Sequence, residues 1–296
     1  MKRNWSVFSI VNYTLLAVFA FCTLYPFIYI LAYSFSDGAE AMKHPIYFFP
    51  RGFTLENYIQ IFQDSTFLNA YVITVLRTVI GTSLHVFLSA LFAYALTKKG
   101  LPGRTFFTFF IFIPSIFSGG MIPNFILFRE LGLINNFWVY VFPFLFSFFH
   151  IIIIRTFFEQ LPKSLEESAQ IDGASNFRIF MTIILPLSRP VLATIALFQG
   201  VFHWNDWFTG AYFVTDEALR PVQTLLNELL TESEALANAA QRSSQSGTTV
   251  ASGIINVTPE SLRMATLIVA TLPIICIYPF LQKYFVKGVM VGSIKG

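Results

Sequence analysis

The chain carries, between two apolar segments, the polar stretch Leu161-Pro-Lys-Ser-Leu-Glu-Glu-Ser-Ala-Gln-Ile-Asp-Gly-Ala-Ser-Asn-Phe-Arg178, followed by Ile183-Ile-Leu-Pro-Leu-Ser-Arg-Pro190. The helix-start and helix-stop residues in this stretch predict two short helices joined by a tight turn. A chain this apolar has little reason to keep a structured polar element in a loop unless another protein docks there. This stretch is therefore the first candidate functional element.

Local capping chemistry sets the predicted boundaries of the two helices. Ser164 and Glu167 have the spacing of a capping box, in which each side chain accepts a hydrogen bond from a free backbone N–H. Gly173 supplies the positive φ that ends a first helix. Ser175 can then cap a second helix, which is expected to run into Pro186.

The composition of the chain is that of an integral membrane protein. Hydrophobic residues make up 55% of the 296 residues, aromatic residues 18% and charged residues 12%, and the mean hydropathy is +0.64. A membrane-spanning helix needs about 20 mostly apolar residues. We therefore predict an all-α membrane fold with six transmembrane helices, near residues 12–35, 68–96, 106–128, 137–158, 187–208 and 263–282.

The distribution of basic residues predicts the orientation in the membrane. If the N-terminus is cytoplasmic, the inner loops hold Lys2, Arg3, Lys98, Lys99, Arg104, Arg155, Lys163, Arg178, Arg189, Lys283, Lys287 and Lys295. The outer loops then hold Lys43, Arg51, Arg129, Arg220, Arg242 and Arg263. This excess follows the positive-inside rule, so both termini and the loop 159–186 are predicted to be cytoplasmic.

The predicted spans and their orientation divide the chain into regions. It predicts a first transmembrane helix with an extracytoplasmic segment (1–67), a core (68–287) that contains the loop 159–186 and an extracytoplasmic loop (209–262), and a cytoplasmic tail (288–296). The first apolar run is longer than the roughly 7–15 residues of a signal-peptide core, so it is expected to be a retained helix.

Smaller features complete the organisation. Thr54 is expected to cap a short interfacial helix, and residues 243–249 are expected to be flexible because they are rich in Ser, Gly and Thr. Cys22 and Cys276 lie in apolar segments and are interpreted as small hydrophobic residues, not as a disulfide or metal pair. The third span is interrupted by Pro114, Gly119, Gly120 and Pro123. Such breakers are typical either of a broken helix facing a translocation path or of an ordinary kink.

The sequence offers no site for chemistry on a nucleotide. The Gly-rich stretch from Gly288 to Lys295 lacks the spacing of a phosphate-binding loop. No metal-ligand cluster and no nucleophile–base pair can be identified in the sequence. The chain is therefore not expected to be an enzyme or to bind a cofactor.

Polar residues inside the predicted spans are candidates for a substrate path. An arginine at mid-bilayer costs about 2.5–3.5 kcal/mol on insertion scales, so Arg77 is expected to face protein or water. It could contact substrate, or it could have a structural partner such as a helix C-terminal carbonyl. The same two interpretations apply to His85, eight residues further along.

The stretch His203-Trp-Asn-Asp-Trp207 is the second group of candidates. Aromatic faces beside amide and carboxylate groups suit a sugar, because its C–H faces stack on rings while its hydroxyls form hydrogen bonds. Trp204, Asn205 and Trp207 are therefore candidate substrate contacts, and Asn124 is a further one. The alternative is an aromatic belt at the membrane interface.

The stretch Glu167-Ser-Ala-Gln-Ile-Asp-Gly173, with Ile184-Leu-Pro186, resembles the EAA loop of permeases from binding-protein-dependent ABC importers. The middle Ala of the usual motif is Ser168 here. The resemblance implies a type I importer fold and a coupling helix that docks on an ATPase subunit. The implied coupling residues are Glu166, Glu167, Ser168, Ala169, Asp172, Gly173, Ala174, Leu185 and Pro186.

Further stretches resemble the carbohydrate-uptake branch of that family, in particular the smaller permease subunit of maltose-type importers. They are Ser118-Gly-Gly-Met-Ile-Pro123, Phe202-His-Trp-Asn-Asp-Trp207, Pro279-Phe-Leu-Gln-Lys-Tyr-Phe-Val-Lys-Gly288 and the tail Gly292-Ser-Ile-Lys-Gly296. The resemblance implies import of an oligosaccharide or polysaccharide fragment across a prokaryotic cytoplasmic membrane. The implied partners are a second permease subunit, two ATPase subunits, an extracytoplasmic binding protein and membrane lipid, with no nucleic acid.

Two other classes of protein remain as alternatives. An ion-coupled secondary transporter of a small polar solute would show inverted repeats and several charges near mid-membrane, and only Arg77 and His85 resemble such charges. An intramembrane enzyme would need a catalytic set within the spans, and none is found in the sequence.

Overall fold

The computed structural model describes residues 7–231 and 258–293. In these two ranges the chain is mainly helical, and the only β-type pairing is one isolated antiparallel bridge between Ser36 and Phe53. The segment predicted to be flexible (243–249) and the basic residues Lys2, Arg3, Arg242 and Lys295 lie outside the described residues. The chain divides into two compact units, 1–67 with 226–272, and 68–225 with 273–296.

The first unit is organised around a buried asparagine. Its helices are α1 (Val7–Ser34), α2 (Gly38–Lys43), α3 (Glu56–Gln63) and the first part of the last helix. Asn57 of α3 donates to the carbonyls of Ser34 (2.9 Å) and Ser36 (3.1 Å). Its side-chain oxygen accepts from the hydroxyl of Ser261 (2.8 Å). One fully buried amide thus satisfies the free carbonyls where α1 ends.

The predicted interfacial helix is present as α3, but its cap differs from the prediction. Leu55 occupies the N-cap position and makes no side-chain capping bond. The hydroxyl of Thr54 nevertheless accepts from the backbone N–H of Glu56 (3.1 Å). Thr54 therefore bonds to the start of the helix as predicted, but the N-cap position itself is one residue later, at Leu55.

The second unit contains the long helix α4 (Ser65–Thr97) and the shorter helices that follow it. These are α5 (Arg104–Ile116), α6 (Met121–Glu130), α7 (Phe148–Glu159), α8 (Lys163–Ile171), α9 (Asn176–Ile179), α10 (Leu185–Leu187), α11 (Arg189–Asn205) and α12 (Phe208–Phe213). Helix α13 (222–231) begins in the second unit and ends in the first. Short 3₁₀ turns lie at Phe137–Tyr140, Phe142–Phe144 and Glu217–Leu219, and a π turn lies at Phe180–Ile184. The last helix, α14 (Pro259–Ser293), begins in the first unit and ends in the second.

Two clusters form the core of the second unit. The first joins the end of α4 to α7, α9 and α11 through Ala90, Ala93, Tyr94, Leu96, Ile151, Ile154, Phe158, Ile179, Phe180, Ile184 and Ile195. The second consists of Ile73, Leu133, Val139, Tyr140, Val141, Phe213 and Val214. Both ends of α4 are therefore fixed by apolar packing.

The described helices support fewer continuous spans than the six predicted. Three are long and apolar enough to cross a bilayer: α1, α4 and Pro259–Ile277 of α14. Two bent pairs could each supply another span, Phe137–Phe144 with α7 (52°) and Asn176–Leu187 with α11 (81°). The predicted third span is divided into α5 and α6, because the chain leaves the helix at Phe117 and Gly120 takes φ +88°. Its predicted interruption is confirmed, whereas six spans and the orientation remain predictions.

Part of the predicted cytoplasmic tail (288–296) is helical. Residues 288–293 continue α14, and their cytoplasmic location stays a prediction. Residues 294–296 lie outside the described part of the chain.

Candidate functional site

The elbow, which we define as residues 162–188, is the polar element predicted from the sequence. Its first helix, α8, ends in a complete Schellman motif around Gly173, whose φ is +78°. The N–H of Gly173 donates to Gln170 (3.0 Å) and the N–H of Ala174 donates to Ala169 (2.9 Å). These two bonds satisfy carbonyls that a helix end leaves free, so the predicted role of Gly173 is confirmed.

The two predicted caps of the elbow have opposite outcomes. The hydroxyl of Ser175 accepts from the N–H of Arg178 (3.3 Å), which confirms it as the cap of the second helix. The capping box of Ser164 and Glu167 is wrong. The N-cap position belongs to Pro162, which makes no side-chain bond, so Ser164 lies inside the first turn.

The motif residues of the elbow divide between two faces. Ala169, Ala174 and Leu185 pack against the core cluster that holds α7 and α11. The remaining face is exposed and carries Glu167, Ser168, Asp172, Gly173 and Pro186. The elbow also exposes several large apolar side chains among its polar ones: Ile171 (86%), Phe177 (57%), Leu187 (46%), Met181 (41%) and Leu165 (40%). A group of exposed apolar side chains rimmed by polar ones is typical of a protein–protein interaction site.

Glu166 attaches the elbow to the end of α4. Its carboxylate is in a hydrogen-bonded ion pair with the ammonium group of Lys98, which also lies 4.2 Å from the ring centroid of Tyr94. Burial lowers the pKa of Lys98, but the hydrogen bonds to Glu166 and Tyr94 outweigh it and hold the pKa above its usual value. The ammonium group is thus charged and fixed at the point where α4 meets the elbow.

A second ion-pair network lies at the end of α7. Glu159 accepts from Arg155 (2.9 Å) in the preceding turn and from Arg104 (3.4 Å) at the start of α5. These contacts are more exposed than a core pair, so each contributes little by itself. Of the two, only the contact between Arg104 and Glu159 joins different helices, the start of α5 and the end of α7.

Arg77 is completely buried near the middle of α4 and has the kind of structural partner that was one of its two predicted interpretations. Its guanidinium lies 3.6 Å from the carboxylate of Asp206 and donates to the carbonyl of Trp204 (3.5 Å) in the last turn of α11. The ring of Tyr140 lies 5.1 Å from its central carbon. A cation and a helix C-terminus attract each other, so Arg77 joins α4 to the end of α11.

A hydrogen-bonded chain of imidazoles and one amide lies further along the same face of α4. His85 contacts the carbonyl of Phe144 (2.8 Å) and the ring of His150 (2.8 Å). Gln199 of α11 donates to the same carbonyl (3.4 Å) and contacts His203 (3.1 Å). His85 thus also has structural partners, as one of its interpretations predicted.

The remaining predicted substrate contacts are not brought together by the structure. Trp204 is 6% exposed and packs edge-on against Tyr71 at 5.8 Å. Asn205 is exposed and donates to the carbonyl of Val201 (3.0 Å). Trp207 is partly exposed beside the ring of Phe208, and Asn124 is exposed in the first turn of α6. Their role as substrate contacts stays a prediction.

One edge of Trp204 still borders a crevice of about 280 Å³ in the second unit. Its walls are small or aliphatic side chains: Thr78, Val79, Thr82 and Ser83 of α4, Ala196, Leu197, Gly200 and Val201 of α11, and Ile274 and Ile277 of α14. The hydroxyls of Thr78 and Thr82 are buried without a hydrogen-bond partner in the structure. Within residues 7–231 and 258–293, no group of His, Cys, Asp and Glu could hold a metal ion.

Several important residues were not found from the sequence. The sequence pattern does not single out Lys98, His150 or Gln199, and it indicates Asp206 only as the carboxylate of the stretch 203–207. A general signal was available for three of them, because a polar side chain inside an apolar span is expected to have a protein partner. The identity of each partner depends on contacts between residues 55 to 129 positions apart, which no local pattern specifies.

Comparisons with known proteins agree on one family. Residues 85–291 match the model of the family "Binding-protein-dependent transport system inner membrane component". The chain is 39% identical to Protein LplC of Bacillus subtilis, covering 98% of this chain and 95% of LplC. It is 38% identical to the polygalacturonan/rhamnogalacturonan transport system permease protein YtcP of the same organism, covering 98% and 99%.

A solved structure shares the fold. It is that of a bacterial ABC transporter involved in the import of the acidic polysaccharide alginate. The TM-score is 0.84 and the sequence identity 32%, with 96% of this chain and 100% of the matched chain covered.

Proposed function

The chain belongs to the family of inner membrane components of binding-protein-dependent transport systems, and we propose that it imports an acidic oligosaccharide or polysaccharide fragment. Its fold is that of a type I ABC importer permease. The acidic substrate class is supported by two relatives, one named for polygalacturonan and rhamnogalacturonan and one for alginate. Family membership favours this function over an ion-coupled secondary transporter.

The observation that carries the proposal is the construction of the elbow. One face is fixed to the core by Ala169, Ala174 and Leu185, while the other presents Glu167 and the exposed Ile171. A rigid element that is anchored on one side and open on the other can receive a partner and transmit its displacement. The partner in this proposal is one of two ATPase subunits, which hydrolyse ATP with Mg²⁺.

The mechanism follows from how force would pass through the elbow. Closure of the ATPase pair displaces α8, and the Schellman turn at Gly173 passes the displacement to the second helix without bending at a flexible joint. The ion pair between Lys98 and Glu166 transmits part of this displacement of α8 to α4. The path then opens to the outer side, where the docked binding protein releases the sugar. This chain itself supplies no catalytic group.

The assembly in this proposal has the loop 159–186 and both termini in the cytoplasm. The chain pairs with a second, different permease subunit, and the six predicted spans are embedded in the cytoplasmic membrane of a prokaryote. The excess of basic residues in the predicted inner loops supports this orientation.

The proposal is tested by co-purification of the chain with its ATPase subunits. Ile171→Glu and Glu167→Lys alter only the exposed face of α8, so both are expected to reduce recovered ATPase and sugar uptake together. Glu130→Lys is the matched control, because Glu130 is an exposed acidic residue at the end of α6, far along the chain from the elbow. Unchanged ATPase recovery in both elbow variants would show that this face is not the docking surface.

A further inference from the structure

The carbonyl of Phe144 lies where the predicted fourth span is broken. The 3₁₀ turn Phe142–Phe144 ends there, and α7 begins only at Phe148 after a bend of 52°. A carbonyl that has left a helix inside a membrane needs a donor from elsewhere in the protein. His85 supplies one donor at 2.8 Å and Gln199 supplies another at 3.4 Å.

The chemistry of the groups assigns a direction to this chain of hydrogen bonds. A carbonyl can only accept, so Nδ1 of His85 carries the proton. In the neutral ring Nε2 then accepts, and Nδ1–H of His150 donates to it (2.8 Å). The Gln199 amide has two N–H groups, of which one serves Phe144 and the other donates to Nε2 of His203 (3.1 Å).

These hydrogen bonds connect both helices that flank the elbow. His150 lies on α7, which ends at Glu159 just before the elbow, and Gln199 and His203 lie on α11, which follows the elbow. His85 lies on α4, whose end is attached to the elbow through Lys98. Helices α4 and α11 thus meet at one carbonyl at the bend of the fourth span, and α7 is joined to it through the contact between His150 and His85.

The packing at this point leaves little freedom. A Cβ atom added to Gly81 would overlap the ring of His203, so this ring of α11 lies directly against the backbone of α4. The ring of Phe198, one residue before Gln199, stacks on His150 with the ring centroids 6.2 Å apart. A change in the angle between α7 and α11 must therefore change the contacts of His85 or Gln199.

We propose that His85 and Gln199 are positioning residues of the transport cycle, which fix the angle between the two helices flanking the elbow through the carbonyl of Phe144. They contact neither substrate nor nucleotide. Because the angle is fixed, a displacement of the elbow moves α7 and α11 together within the membrane. ATP hydrolysis is then coupled to substrate transport. This inference rests on the proposed function of the elbow.

The test measures sugar transported per ATP hydrolysed by the complete complex, with its binding protein, in proteoliposomes. His85→Leu removes the donor, whereas His85→Asn keeps an N–H near the position of Nδ1. We expect His85→Leu to lower the transport-to-hydrolysis ratio about threefold to tenfold, and His85→Asn to lower it by less than about twofold. Recovered ATPase subunits should be unchanged in both variants. His44→Leu, at an exposed histidine of the first unit, is the control.

A second variant keeps the test informative if His85→Leu fails to fold. Gln199→Met removes the amide with little change in volume, and we expect it to lower the same ratio. A wild-type ratio in either His85→Leu or Gln199→Met would overturn the inference, as would an equal loss in His85→Asn and His85→Leu. Failure of the unaltered chain to recover ATPase subunits would instead refute the proposed function, and this inference with it.

Discussion

The ion pair between Lys98 and Glu166 leads to a quantitative prediction about the attachment of the elbow to α4. Both side chains are about one quarter exposed, at 27% and 26%, so their interaction is expected to contribute about 1 kcal/mol, at the upper end of values for surface pairs. The contact of Lys98 with the ring of Tyr94 adds about 0.5–1 kcal/mol. Lys98→Ala loses both interactions and Glu166→Ala loses the first, so the lysine variant should be the less stable one.

A double-mutant cycle isolates the interaction free energy between Lys98 and Glu166. The two single variants and Lys98→Ala/Glu166→Ala are compared by reversible unfolding in mixed micelles. The double variant should be less destabilised than the sum of the singles by about 1 kcal/mol, because the pair can be lost only once. Sugar uptake in whole cells should fall in each single variant and recover partly in the charge exchange Lys98→Glu/Glu166→Lys.

The pH dependence gives an independent check on the same pair. The pKa of Lys98 is raised in the folded protein, so its contribution to stability is complete below its ordinary value of 10.5 and is lost as pH rises through the folded value. Unfolding followed from neutral pH to about pH 11 should show this loss in the wild type, and Lys98→Met should lack it. The reasoning would be refuted if the losses of unfolding free energy in the two single variants added up to the loss in the double variant. It would also be refuted if the stability of the wild type and of Lys98→Met had the same pH dependence.

Four further predictions concern single positions. Gly173→Val should destabilise the elbow by about 1–2 kcal/mol because φ is +78° there, whereas Gly173→Asn should be tolerated, as measured by thermal unfolding. Ser175→Ala should cost about 0.5–2 kcal/mol through loss of the cap, seen in the same assay. Asp206→Asn should destabilise by about 3–5 kcal/mol because the charge of Arg77 is left buried, and pairing it with Arg77→Met should restore much of the loss in a double-mutant cycle. Gly81→Ala should lower the yield of folded protein relative to Gly100→Ala, which has open space around it.

The local structure of the elbow could be predicted from the sequence because single residues determine it. Gly173 permits a left-handed turn and Ser175 has a hydroxyl at a helix start, and both act as expected. The capping box failed for a local reason as well. Pro162 occupies the N-cap, so Ser164 is already helical and its hydroxyl is in the wrong place to accept from the N3 amide.

For the buried residues Arg77 and His85, the sequence predicts the kind of partner but not which residue provides it. Apolar periodicity cannot show that His85 meets His150, since 65 residues separate them. The sequence did indicate that Arg77 needs a partner, and a helix C-terminal carbonyl was one candidate. It could not identify Trp204 as the residue that supplies this carbonyl, because the crossing of α4 and α11 decides it.

The number of continuous spans was the least predictable feature of the fold. Hydropathy detects apolar composition over a window, and the stretches 106–128, 137–158 and 187–208 all have it. It does not detect bends of 52° and 81°, which arise where the chain leaves the helix near Phe144 and Ser188. Breakers such as Gly120 predict such a departure, but only tertiary contacts decide its angle.

The π turn at Phe180–Ile184 makes the second half of the elbow tolerant to the loss of one residue. Such a turn accommodates one more residue than an α-helical turn does. Deleting the exposed Thr182 would let the segment relax to a regular α-helical turn, so the residues after it would keep nearly the same rotation. One residue removed from the regular helix α11 ahead of Gln199 would instead turn Gln199 away from Phe144 by about 100°.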